Sequence, residues 1–241
     1  MSILIATLNH NLPELTDNIV EQVKQSKYID YELMVVENGS QEPRAKSATH
    51  VLDHNVFYGG GINVILDYFL KTNHDYLMVL NNDLIFHGYN FIQEMISTAE
   101  LFNLSVLSPS IINAETTQCH WKQMHCWCTN DVREVKWIDF QAPMLRRDIC
   151  EKIIQFPTEL YLGWGVDFYT GLVAAKHGLK IGVHDGVTIT HLNSQTFRQN
   201  KLNIDTKIFC FNAEKNMNDY FKNHEYQAYL LLRNYGEAYT Y

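Results

Sequence analysis

Two carboxylates stand at positions where packing gives them no task. Asp83 ends Tyr76-Leu77-Met78-Val79-Leu80-Asn81-Asn82-Asp83, an apolar run that stops abruptly in two amides and an acid. An acid at the open end of a buried strand is a hard oxygen ligand, suited to Mg²⁺ or Mn²⁺ held against a diphosphate. The plainer reading is a turn or helix cap. Asp167 follows Leu162-Gly163-Trp164-Gly165-Val166, where a helical pattern begins. A carboxylate in a cleft beside an aromatic ring on which a sugar can stack suits general-base work; an N-cap is again the plainer reading. His191 closes Thr188-Ile189-Thr190, as a cation ligand or as a hydrogen-bonded structural residue.

Gly59-Gly60-Gly61 precedes a helical pattern. It either lets backbone approach a phosphate or turns the chain tightly. It follows the third strand, so it is not a dinucleotide fingerprint, and no phosphate-loop lysine pattern occurs. Cys119, His120, His125, Cys126 and Cys128 bring five zinc-type donors into ten residues, at no familiar finger spacing. A zinc-organised interaction module and a cysteine-bearing strand region are the two readings.

Positioning these groups requires a scaffold, and the first half supplies one. Ile3–Leu8, Glu32–Val36, a weak run near His50–Leu52, Tyr76–Leu80 and Ser105–Leu107 read as strands. Between them, Leu12, Leu15, Ile19 and Val23, then Ile62, Ile65, Leu66 and Phe69, then Phe91 through Phe102 recur at helical spacing. Strands alternating with helices imply an α/β fold, a mostly parallel central sheet flanked by helices. Ligands then bind beyond the carboxyl ends of the strands, the edge shared by Thr7-Leu8-Asn9, Glu37-Asn38-Gly39 and Asn81-Asn82-Asp83. Residues 110–145 read as irregular strands, and Lys180–Val183 and Val187–His191 as two more. Residues 213–235 read as one final helix, which packs on the domain, pairs with a second copy in a homodimer, or lies on a membrane surface. One domain over 1–200 with a C-terminal helical extension over 201–241 is the economical division.

The whole-chain properties exclude other classes. In 241 residues, 46% hydrophobic and 19% charged, disorder and collagen-like repeats are ruled out. A net charge of -8 argues against nucleic acid as a partner, because phosphate backbones are bound by clustered Lys and Arg. It also makes anionic lipid a poorer partner. No apolar run reaches the ~18–20 residues of a transmembrane segment, and five cysteines show no disulfide framework. The expectation is a reduced, soluble, cytoplasmic chain, with peripheral membrane attachment left open by the final helix.

Taken in order, segments over residues 2–198 resemble the GT-A glycosyltransferases, specifically family two of the inverting enzymes. Ile3–Asn9 resembles the opening strand, Glu32–Ser40 the second strand with its acidic-Asn-Gly-Ser turn, and Asn55–Asn63 the Gly-rich stretch before a helix. Phe140–Asp148 resembles the strand and Arg-rich turn after the central insertion. The resemblance implies that Thr7, Asn9, Glu37, Asn38, Gly60, Asn63, Asn81 and Asn82 contact a nucleotide-sugar donor. Glu37 would accept from the imide N–H of uracil or thymine, pointing to a UDP- or dTDP-sugar. Asn81-Asn82-Asp83 falls at the Asp-x-Asp metal motif, with Asn81 replacing the first acid. Gly163-Trp164-Gly165-Val166-Asp167 falls at the Trp-Gly-Glu-Asp segment, with Val166 replacing the Glu. The resemblance thus implies Mn²⁺ (or Mg²⁺) on Asp83 and His191, Asp167 as general base, and Trp164 and Gly165 at a glycan acceptor. The substitutions at Asn81 and Val166 keep a catalytically inactive, ligand-binding relative as the alternative.

Overall fold

The computed structural model describes residues 1–112, 121–192, 195, 199 and 204–239. Of the predicted features, Cys119 and His120 lie outside the described residues.

Strand β1 (Ile3–Asn9) is buried on both faces, as its unbroken apolar run requires. Helix α1 (Pro13–Gln25) starts with proline in its first turn and buries Thr16, Ile19, Val20 and Val23 on one stripe. Then follow β2 (Tyr31–Asn38), β3 (His50–Leu52), α2 (Phe57–Leu70), β4 (Tyr76–Leu80), β5 (Leu84–Phe86) and α3 (Phe91–Phe102). β6 (Val106–Ile111), β7 (Val132–Val135), β8 (Met144–Arg146), α4 (Arg147–Ile153), α5 (Val166–His177) and β9 (Ile181–His191) complete the main body. Two further helices, α6 (Thr206–Asn223) and α7 (Tyr226–Ala238), end it.

The sheet runs β3-β2-β1-β4-β8-β6-β9-β5, with β7 also on β9. β3, β2, β1 and β4 are parallel, so Asn9, Glu37 and the segment after Leu80 share one edge. β8 is antiparallel to both β4 and β6, while β6 and β9 are parallel. The α/β reading with a mixed, mostly parallel sheet holds on that half of the molecule.

Three expectations are corrected. Lys180–Val183 and Val187–His191 belong to a single strand, β9, whose register on β6 jumps between Pro109 and Ser110. Among the described residues between β6 and β8 one strand forms, β7, where several irregular strands are expected. The final helix is two helices: the chain breaks at His224 and folds back, stacking Phe221 on Tyr229 with ring centroids 4.5 Å apart. The buried stripe restarts in a new register after the break: α6 buries Phe209, Ala213, Met217 and Phe221, α7 buries Tyr229, Leu232 and Gly236, and Leu231 is exposed. Asp205 caps α6 by accepting from Lys207 N (2.8 Å) and Ile208 N (3.1 Å).

This hairpin packs on the main body. The Trp137 indole N–H donates to the Leu232 carbonyl (2.9 Å), and Gly236 abuts the Trp137 and Trp121 rings. Among the described residues no helix is long and apolar enough to cross a membrane.

Candidate active site

The site forms at the shared strand edge. β5 was not foreseen, and it decides the geometry: running antiparallel to β9, it pairs Leu84 with His191 and so sets Asp83 beside the imidazole. Asp83 Oδ1 lies 3.2 Å from His191 Nε2, and its other oxygen accepts from Gln195 N at 3.1 Å. The Asp83 carbonyl takes the Leu192 amide at 2.8 Å. Asp83 is only 5% exposed. Burial opposes its charge, but the His191 hydrogen bond and charge prevail and hold the carboxyl below its ordinary value. Reciprocally, burial pulls His191 down, and Asp83 more than restores it, leaving the imidazole raised.

Asp167 sits in the first turn of α5, with Oδ1 accepting from Phe168 N at 2.8 Å. It is inside the helix, two residues beyond the cap position, which Gly165 fills in left-handed conformation at φ 97°. A helix N-terminus favours a carboxylate anion. Here burial wins, seconded by the nearby charge of Asp139, and the carboxyl is pushed up to about 7.

Asp139 and Tyr58 are the site residues that the sequence reading missed. Asp139 interrupts Trp137-Ile138-Asp139-Phe140, whose three apolar members are all buried; an acid in such a run was the available signal. Burial raises its carboxyl, partly offset by the Gln141 amide that donates to it at 2.9 Å and by the charge of His191. Tyr58 donates to the Phe140 carbonyl at 2.6 Å. Its phenol is raised by burial first and then by Asp139, Asp167 and Asp83. Contacts tie the segments together: Tyr58 abuts Gly163 in the loop leading to Asp167 and bonds Phe140, and the Gln141 carbonyl next in the chain holds Asn81, two residues before Asp83.

The predicted nucleotide-contacting residues have turned inward. Asn9 donates to Glu37 (2.8 Å) and accepts from Leu12 N and Thr16 Oγ1 (both 3.0 Å). Glu37 is 0% exposed; one oxygen takes Asn9 and Ala45 N (2.6 Å), and the other is enclosed without a hydrogen-bond partner among the described residues. Thr7 is equally buried and its Oγ1 is likewise without one. Asn38 holds Val56 N (2.9 Å) and the Phe57 carbonyl (3.2 Å), fixing where α2 starts. Asn82 donates to Thr16 Oγ1 (3.0 Å). Asn63 is committed at both ends to the Phe156 backbone, at 2.8 and 3.0 Å. Strand ends leave unpaired amides and carbonyls, and these side chains satisfy them. Asn81 is half-buried, its amide bonded to the Gln141 carbonyl (2.9 Å), which ties the Asp139 segment to the edge.

The glycine run is also corrected: it lies within the first turns of α2, not before the helix. Gly59 N and Gly60 N both donate to the Tyr161 carbonyl, at 2.9 and 3.3 Å, so these amides face protein and not a phosphate. A Cβ on Gly59 would lie 2.2 Å from the Leu160 oxygen. Glycine is needed there because the Leu160–Tyr161 segment leading to α5 presses directly on helix backbone. Within that loop Trp164 is 41% exposed, a free aromatic face, whereas Gly165 is buried beneath Met217 and Phe221 of α6.

One consequence is measurable as stability. The unfolded chain releases the Asp167 proton near pH 4. The native state keeps it until about 7. Stability contributed by this group is therefore complete below pH 4 and declines as pH rises to 7. Thermal denaturation from pH 4.5 to 7.5 should show Asp167→Asn gaining on the parent as pH rises. Parallel curves for the two proteins would contradict the placement of Asp167.

No protein-family model and no curated protein sequence matches this chain. Its fold does have solved counterparts. It is similar to GalNAc-T7, solved with UDP, GalNAc and Mn²⁺ (TM-score 0.63, 9% identity over 79% of this chain). It is also similar to the mannosyltransferase PcManGT from Pyrobaculum calidifontis, in complex with GDP-Man and Mn²⁺ (TM-score 0.54, 12% identity over 76% of this chain). The match spans 43% and 56% of those two chains, respectively. At such identities the likeness establishes architecture alone, and the chain has the GT-A fold.

Proposed function

We propose that this protein is an inverting glycosyltransferase, a hexosyltransferase in type, moving a sugar from a nucleotide diphosphate to a hydroxyl of a glycan acceptor. The observation that carries the reading is the chain of contacts from the Asp83–His191 pair through Asn81, Gln141 and Phe140 to Tyr58, which abuts Gly163 in the loop leading to Asp167, whose carboxyl is pushed up to about 7. An acid poised near neutrality suits proton abstraction from an alcohol, since a base is most useful when its pKa lies near the working pH.

The donor set fits a divalent cation. Ligands about 2.1 Å from an octahedral ion stand roughly 3 Å apart at adjacent corners, and Asp83 and His191 are 3.2 Å apart. Among the described residues no third His, Cys, Asp or Glu joins them, so oxygens of the donor and water would complete the shell. An oxygen and a nitrogen donor suit Mn²⁺ slightly better than Mg²⁺. When bound, such an ion offsets the charge growing on the departing diphosphate.

The remaining work falls to the chain itself. Asp167 takes the acceptor proton as that oxygen attacks the anomeric carbon opposite the nucleotide, and a single displacement inverts the centre. Trp164 offers the acceptor sugar a stacking face. Asn9, Glu37, Asn38 and Asn82 hold the floor on which the donor rests. Asn81, half-buried at the same edge, is assigned to the ribose. A UDP- or dTDP-linked donor is the reading that the Glu37 oxygen without a hydrogen-bond partner among the described residues supports, since it is an acceptor suited to an imide N–H.

Removal of the cation ligand tests this reading. Asp83→Ala should weaken Mn²⁺-dependent UDP binding at least about tenfold by calorimetry, the scale of losses seen on disturbing metal sites. Identical affinity in the two proteins, with and without Mn²⁺, would refute the site. A thermal-shift comparison of UDP-, dTDP- and GDP-sugars with Mn²⁺ would assign the base.

A further inference from the structure

Away from the candidate active site, the turn Cys126-Trp127-Cys128 concentrates unassigned chemistry. It follows a single 3-10 turn, Lys122–Met124, and is held by Cys126 N to the Ile111 carbonyl at the end of β6 (2.9 Å). Trp127 N donates to Asp185 Oδ1 on β9 (3.2 Å), so the turn ties the two strands together. Cys128 adopts left-handed backbone at φ 57°, unusual for a residue with a side chain. That conformation folds its amide onto the Cys126 sulfur, 3.2 Å away. Both cysteines are free; Cys126 is half-buried and Cys128 exposed. Charge on Cys126 and a hydrogen bond between the two thiols hold the Cys128 thiol above its ordinary value.

We propose that Cys126 and Cys128 form a dithiol–disulfide couple, a redox modification site on the β6–β9 connection. The oxidant is a small disulfide of the glutathione class. The exposed Cys128 thiolate attacks one sulfur of it, forming a mixed disulfide and releasing one small thiol. Cys126, already against it, attacks the Cys128 sulfur and expels the second small thiol. Two electrons pass from the cysteines to the small disulfide, and the two protons leave on the released thiols. Cys150 cannot compete, being fully enclosed and pushed well up by burial. The site is independent of any transferase activity.

Trypsin provides a clean readout, because Gln123–Arg133 carries Cys126 and Cys128 and no other cysteine. The full-length protein would be equilibrated across reduced-to-oxidised glutathione ratios, alkylated, unfolded and digested. The expected result is that Gln123–Arg133 converts to an unalkylated form lighter by two hydrogen atoms. Cys126→Ser should instead accumulate glutathione on Cys128, and its unchanged melting temperature would show that the fold is intact. Separate glutathione adducts on both cysteines of the parent would overturn the proposal. So would full alkylation at every ratio, or a cross-linked peptide joining Cys119 to either thiol.

Discussion

Asp167→Asn should lower turnover by about 10²–10⁴-fold, the usual worth of a positioned general base, while leaving donor affinity within about twofold. The amide nearly matches the carboxylate in size and still accepts from Phe168 N, the bond that Oδ1 makes now. What it cannot do is take a proton. The parent's rate should fall as pH drops through about 7, because protonated Asp167 is no base; the residual rate of the variant should lose that limb. The measurement is UDP release from a UDP-sugar with Mn²⁺, with and without an added oligosaccharide, beside a nucleotide titration. Near-normal turnover in the variant would remove Asp167 from the mechanism. Absent turnover in the parent, with nucleotide still bound, would favour the inactive, ligand-binding relative that Asn81 and Val166 keep open.

Arg133→Ala should be the most destabilising single change outside the site, by about 3–5 kcal/mol, the range for stripping one partner from a buried ion pair. For a chain of this length that corresponds to a melting temperature lower by roughly 10 °C. Arg133 and Asp185 are 7% and 0% exposed, joined by two hydrogen bonds of 2.7 and 3.0 Å. The guanidinium also donates to the carbonyls of Gln123 (2.9 Å) and His125 (2.8 Å) and lies 4.4 Å from the Trp127 ring centre. Without it a carboxylate is left dry and unpaired beside two abandoned carbonyls. Replacing both residues with apolar ones of similar volume should cost less than the single change, since it removes the stranded charge. A single-variant loss under about 2 °C would mean that the pair is solvated.

The legible and illegible parts divide along physical lines. Buried parallel strands declare themselves through unbroken apolar runs, which is why β1 and β4 emerge with nearly their observed bounds. Asp83 was readable because polarity changes sharply at Leu80. β5 was not: Leu84-Ile85-Phe86 is three residues long, and a short apolar run has no period to measure. Yet β5 brings His191 to Asp83. Tyr58 and Asp139 escaped because their roles come from neighbours remote in sequence. The glycines announce a close approach without naming its partner, since an approach to a phosphate and one to another stretch of backbone demand the same missing Cβ. Asn9 and Glu37 illustrate a related ambiguity: polar groups at strand ends serve the chain's own unpaired amides as readily as a ligand's.

The Tyr161 carbonyl serves two amides of α2 at once. Its peptide plane therefore cannot rotate without unlatching the helix start, and with Gly59 pressed against Leu160 there is no slack for sliding. Any excursion of the segment leading to Asp167 must expose Gly59 N–H and Gly60 N–H together. Their deuterium uptake consequently acts as a built-in clock for that motion, readable before any acceptor is known.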